Sequence, residues 1–143
     1  MAVGLSGLPT LHPVEGFSLG TTAAGIKVAG RPDLVVMEAA PGSLAGAVFT
    51  RNAFRAAPVV VAERHLERAS PRYLLVNTGY ANAGLGKRGE EDALACCRAL
   101  AGMTGCALEE VLPFSTGVIG EPLPVQRIQL GLPDALARLS PLG

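Results

Sequence analysis

Tryptophan is missing from the 143 residues, and two tyrosines and four phenylalanines bring the aromatic content to only 4%. A hydrophobic core must therefore be assembled from Val, Leu, Ala and Ile, with few aromatic anchors. Charge is also scarce, at 17%. An exterior with so little charge implies that part of it is covered by another chain. The twelve basic and twelve acidic residues cancel, which leaves no electrostatic footprint for a nucleic-acid partner. With no basic amphipathic stretch, an anionic membrane surface is excluded on the same ground. No apolar run approaches the length of a membrane span. The start Met1-Ala2-Val3-Gly4-Leu5 lacks the positive charge of a secretory signal, so a cytoplasmic setting is expected.

Histidine is limited to His12, beside Pro13, and His65, in a short polar segment; neither has a partner in a nucleophile elbow. That gives no support to Ser-His-Asp or Cys-His catalysis. Cys96, Cys97 and Cys106 are odd in number and lack ligand spacing. A disulfide framework and a zinc site are both unsupported, and the cysteines read as small core residues. No cofactor and no metal are expected.

What remains organises into an arm over residues 1–15 and one domain over 16–143. Strands are expected at Phe17–Ile26, Leu34–Met37, Leu44–Thr50, Pro58–Val61, Tyr73–Val76 and Val111–Phe114, each a short apolar run bounded by Gly, Pro or Asn. Glu63–Arg68 reads as one or two helical turns. The clearest helix opens at Gly89, with Glu90, Glu91 and Asp92 suiting its N-terminus and Gly102 and Gly105 ending it. A last helix starts at Pro124 and breaks near Pro133. Asn77–Gly86 is a Gly/Asn loop without the Lys-Ser/Thr ending of a P-loop or a dinucleotide fingerprint. Its asparagines are expected to tie the loop's own backbone together. Strands interleaved with helices indicate a mixed α/β fold.

The candidate site is Ser115-Thr116-Gly117-Val118-Ile119-Gly120, where an apolar run stops at a hydroxyl pair and a glycine. Two readings are open. One hydroxyl could cap the following element while Gly117 supplies a permissive backbone. Alternatively, a hydroxyl and an adjacent N–H could be presented to one point, as the stabilisation of an oxyanion requires.

Four segments together carry a resemblance. They are Ala23–Lys27; Ala45–Asn52 with Ala56–Val59; Val76–Ala83 with Gly89–Ala93; and Ser115–Pro124. In this order they resemble the ornithine acetyltransferase (glutamate N-acetyltransferase) family, specifically its N-terminal alpha chain. The resemblance implies a layered sandwich of β-sheets flanked by helices and completed by a second, beta chain, in a heterotetramer of two alpha and two beta chains. It implies a precursor that cuts itself, exposing a threonine nucleophile at the start of the beta chain, which carries acetyl from N-acetylornithine to glutamate in arginine biosynthesis. Acetyl-CoA is an additional donor in some members. The Thr116 hydroxyl and the Gly117 N–H would form the oxyanion hole. Tyr80 departs from the family's usual asparagine. The sequence stops at Ser140–Gly143, before the family's Thr-rich and Lys-Gly stretches and its nucleophile, so inactivity of this chain alone is expected. A related N-terminal-nucleophile aminopeptidase or amidohydrolase, or a domain that only binds its partner, are the alternatives.

Overall fold

The computed structural model describes residues 12–142. Most of the expected arm, residues 1–11, lies outside them. The elements run β1 (Phe17–Thr22), β2 (Leu34–Ala39), α1 (Ala57–Leu66), β3 (Tyr73–Tyr80), α2 (Lys87–Thr104), β4 (Val111–Val118) and α3 (Val125–Ala137), with a short 3-10 turn at Leu108–Glu110 before β4. One sheet forms in the order β1-β2-β3-β4. The first three strands are antiparallel neighbours, and β4 lies parallel to β3. A parallel neighbour needs a crossover, and α2 provides it.

Alternation divides the sheet into two faces. Gly20, Val36, Leu75 and Pro113 form one row across all four strands, and Leu19, Met37, Leu74 and Leu112 form the next row on the opposite face. The first face is the core. Leu34, Val36, Tyr73, Leu75 and Val111 pack against Cys96, Cys97 and Leu100 of α2 and Ile128, Leu132 and Ala135 of α3. Each large aliphatic side chain buried there contributes about 1.5–3 kcal/mol. At Gly20 a Cβ would stand 2.0 Å from the Ala135 carbonyl oxygen, so only glycine lets α3 lie this close to β1. The opposite face is apolar and poorly covered. Phe17 and Phe114 are 38% and 39% exposed, and Leu19, Met37 and Leu74 are half-buried.

Several expectations need correction. Pro58–Val61 is not a strand but the start of α1, joined to the polar segment after it. Ala57, Pro58, Val61, Ala62 and His65 are its buried residues, a helical spacing, and proline suits a first helical turn. The expected strand at Leu44–Thr50 is irregular, with Leu44 92% and Val48 99% exposed, because no neighbouring strand receives its hydrogen bonds among the described residues. The expected first strand stops at Thr22. Beyond it the Ala24 and Ile26 N–H groups donate to the two oxygens of Asp33, at 2.8 and 2.6 Å, in place of a strand partner. The helix α2 begins at Lys87 and passes through Gly102, with Gly105 as its left-handed C-cap. Pro133 lies within α3 without ending it, since Ile128, Leu132 and Ala135 hold both halves against the core.

Candidate functional site

The strands β3 and β4 both run longer than expected. Asn77 to Tyr80 continue β3, and Ser115 to Val118 continue β4, because each segment supplies the other's partner. Ser115 to Val118 are therefore the last rungs of β4, paired residues of the strand and not a turn that follows it. Pairing is Asn77 with Ser115, Thr78 with Thr116, Gly79 with Gly117 and Tyr80 with Val118. Ala81 N–H to Val118 O and Gly120 N–H to Ala83 O, at 2.8 and 2.9 Å, prolong the attachment. The carboxyl ends of parallel strands are where ligands bind in α/β sheets, since both chains there end their ladders and open into loops.

The side chains alternate across this pair. Toward the core, Ser115 Oγ donates to Asn77 Oδ1 at 2.6 Å, and Asn77 Nδ2 donates to the Tyr80 carbonyl at 3.0 Å. Asn77 is buried, so its amide acts as an internal strut. On the other face the Thr116 and Thr78 hydroxyls are 3.1 Å apart, and both residues are exposed. Neither Ser115 nor Thr116 caps α3, whose N-cap is Pro124 with no side-chain bond. The capping alternative is thereby removed.

Gly117 has φ +130°, and a Cβ there would lie 2.3 Å from the Gly79 carbonyl carbon and 2.6 Å from the Tyr80 nitrogen. The two backbones meet at a separation that a side chain at 117 would prohibit. An open cleft of about 370 Å³ runs beside Thr116, with Val48, Phe49, Thr50, Pro58, Val59 and Phe114 among its walls. Its lining is mostly apolar, with Thr50 and Thr116 among its few polar residues.

The remaining candidates fall into supporting places. His65 is buried, with Nδ1 2.7 Å from the Val111 carbonyl oxygen, and is a packing residue. His12 is exposed. Glu90 occupies the first turn of α2, and its carboxylate accepts from Arg64 at 2.7 Å. Asn82, fully buried with φ +50°, donates to the Gly89 carbonyl at 2.8 Å and accepts from Ala57 N–H through its own carbonyl. The loop asparagines do tie the backbone, as expected. Burial pushes the Cys96 and Cys97 thiols up to about 12, helped by Asp92 for the first and by Cys96 for the second. Both stay protonated and unreactive at neutral pH. Among the described residues no group of His, Cys, Asp or Glu could hold a metal ion, and no helix is long and apolar enough to cross a membrane.

Sequence reasoning singled out Thr116 and Gly117 but missed Asn77 and Thr78 as their partners. A signal existed. Val76-Asn77-Thr78-Gly79 and Phe114-Ser115-Thr116-Gly117 share one pattern of apolar residue, small polar residue, Thr and Gly, and the fold lays them side by side in register.

A four-stranded sheet flanked by helices, with paired hydroxyls and glycines where two parallel strands end, places this domain among mixed α/β proteins. Solved structures share it. The chain superposes on an ornithine acetyltransferase from Mycobacterium tuberculosis, crystallised with ornithine, with a TM-score of 0.83, 32% identity, and coverage of 90% of this chain and 69% of that one. The arginine biosynthesis bifunctional protein ArgJ of Bacillus halodurans gives a TM-score of 0.77 at 34% identity, over 82% of this chain and 62% of that one.

The sequence profile of the ArgJ family matches residues 18–141, and the chain belongs to that family. The arginine biosynthesis bifunctional protein ArgJ of Pseudomonas syringae pv. tomato is 56% identical over 140 residues, which is 98% of this chain and 34% of that protein. The ArgJ protein of Psychrobacter arcticus is 52% identical over 142 residues, covering 99% of this chain and 35% of its own length. The chain thus spans about a third of the curated relatives it matches, corresponding to their N-terminal part.

Proposed function

We propose that this chain is the oxyanion-binding part of an acetyltransferase that moves acetyl from N2-acetylornithine to glutamate in arginine biosynthesis. The observation that carries the reading is the placement of the Thr116 hydroxyl beside Gly117, on a strand end stiffened by bonds to Asn77 and Thr78. Support also comes from the relatives' names and from the ornithine bound in the structure from M. tuberculosis.

In this reading a threonine at the start of a second, beta segment attacks the acetyl carbonyl carbon as its hydroxyl proton passes to its own neutral α-amine. As the new C–O bond forms, the carbonyl pair moves onto oxygen, where the Thr116 hydroxyl and the Gly117 N–H hold it. When that pair returns, the C–N bond breaks and ornithine leaves as an amine, protonated by the nucleophile's own α-amine. Glutamate's neutral amine then attacks the acetyl ester through a second oxyanion at the same place; the C–O bond to threonine breaks, and the proton lost by the nitrogen returns through the α-amine to the threonine oxygen. The poorly covered sheet face with Phe17, Met37 and Phe114, and the exposed irregular stretch Leu44–Thr50, offer the beta segment its docking surface. Two copies of each part would complete the heterotetramer, and reduced cysteines fit a cytoplasmic setting.

The test is acetyl transfer from N-acetylornithine to glutamate by the whole protein, compared with its Thr116→Ala variant. Losing one oxyanion donor costs about two to three orders of magnitude in kcat. Full activity in the variant overturns the role of Thr116. Hydrolysis of peptide amides without transfer to glutamate would assign the related aminopeptidase chemistry instead.

A further inference from the structure

The hydroxyl pair across the two parallel strands poses a question of proton supply. Thr116 Oγ1 and Thr78 Oγ1 are 3.1 Å apart, and only one proton can lie on the line between them. If Thr116 donates to Thr78, its proton is used up and cannot reach a substrate oxygen. If Thr78 donates to Thr116, the Thr116 proton is free to point elsewhere. An oxygen that accepts a hydrogen bond also becomes a stronger donor, because the two bonds polarise one another. A developing negative charge beside Thr116 selects the second arrangement.

Resting on the oxyanion reading of Thr116, we infer that Thr78 is a positioning residue whose hydroxyl donates to Thr116 Oγ1 and thereby aims the Thr116 proton at the reacting oxygen. Three features fix this geometry. Thr78 and Thr116 are directly paired in the strand register, so their side chains leave the sheet on the same face. The Asn77–Ser115 bond on the opposite face holds that register one step before. The close approach of Gly79 and Gly117 holds it one step after. Thr78 is thereby confined to a strand, where its β-branched side chain has restricted χ1 freedom.

The experiment uses the whole protein and measures kcat and KM for acetyl transfer, normalised to the fraction of molecules with a free threonine nucleophile as counted by mass spectrometry. Thr78→Val keeps the branched shape and strand propensity but removes the donor. It is expected to lower kcat about tenfold with KM within about twofold, less than the loss from removing an oxyanion donor outright. Thr78→Ser keeps the hydroxyl and is expected to restore kcat to within about threefold. In a Thr116→Ala background, Thr78→Val should cost nothing further, because no proton remains to be aimed.

Unchanged kcat in Thr78→Val overturns the inference while leaving the oxyanion reading in place. A further loss on the Thr116→Ala background also overturns it, since Thr78 would then act on the substrate directly. Full activity of Thr116→Ala alone overturns both. If Thr78→Val fails to fold, Thr78→Ala is measured with Thr78→Ser beside it, and equal kcat in the two refutes a role for the hydroxyl.

Discussion

Replacing Gly117 with alanine tests the construction of the site most directly. The added Cβ would stand 2.3 Å from the Gly79 carbonyl carbon, 2.4 Å from its oxygen and 2.6 Å from the Tyr80 nitrogen. All three are backbone atoms of a paired strand, so no side chain can swing aside to make room. The backbone at φ +130° is also one that alanine rarely adopts. Strain of that kind costs about 1–3 kcal/mol, and forcing extra volume into a packed contact costs about 1–3 kcal/mol more. Gly117→Ala should therefore destabilise by about 2–6 kcal/mol. It should also depress activity, because the displaced strand carries the Thr116 hydroxyl away from its place. Urea unfolding of the whole protein, with acetyl transfer measured on the folded fraction, reads both effects. A variant that matches the parent within about 0.5 kcal/mol, the ordinary range of a neutral surface change, would refute the close pairing of β3 and β4 at this rung.

Asp33→Ala should cost about 3–6 kcal/mol in urea unfolding, since two N–H groups, at Ala24 and the buried Ile26, would lose charge-assisted bonds worth about 1.5–3 kcal/mol each. Gly102→Ala is predicted to stabilise by about 0.5–1 kcal/mol, because Gly102 lies in α2 and its Cβ would meet nothing within 4 Å; a loss in thermal unfolding would contradict that geometry. Alkali should weaken the fold. Cys96 and Cys97 titrate at about 12 in the native protein against an ordinary 9.0, with burial as the main cause. Between those values the native state retains protons that the unfolded chain has released, so stability falls as pH rises from 9 toward 12. Denaturant midpoints across that range check it, and a midpoint independent of pH would contradict the burial of both thiols.

The sequence carried the centre of the sheet well. Leu34–Met37, Tyr73–Val76 and Val111–Phe114 are apolar runs flanked by turn residues, and each lies within a strand. Helix α2 was legible from its buried spacing at Ala93, Cys97, Leu100 and Ala101. The failures have local causes. Pro58–Val61 reads as a strand when it is taken alone, since three consecutive valines favour extended structure. Only the continuation through Ala62 and His65 reveals that the buried positions follow a helical period. The stretch Leu44–Thr50 has strand propensity too, but propensity needs a neighbour to accept its hydrogen bonds, and the described residues supply none. Thr116 and Gly117 were legible through motif chemistry. Asn77 and Thr78 were missed, because their importance arises from pairing across 38 positions of chain, which shows only when the two Thr-Gly stretches are compared with each other.

That constant offset has a consequence for how such a site tolerates change. Asn77–Ser115 and Thr78–Thr116 are separated by the same number of residues because one ladder positions both. Lengthening or shortening the stretch between the strands alters the offset without moving a single rung, provided the ladder re-forms. Deleting one residue from within β4 does the reverse. It would set Gly117 against Thr78 and turn every following side chain to the other face of the sheet. The chemistry here is recorded in alignment between strands, so the connecting segment is free to drift in length while the two short Thr-Gly stretches are not.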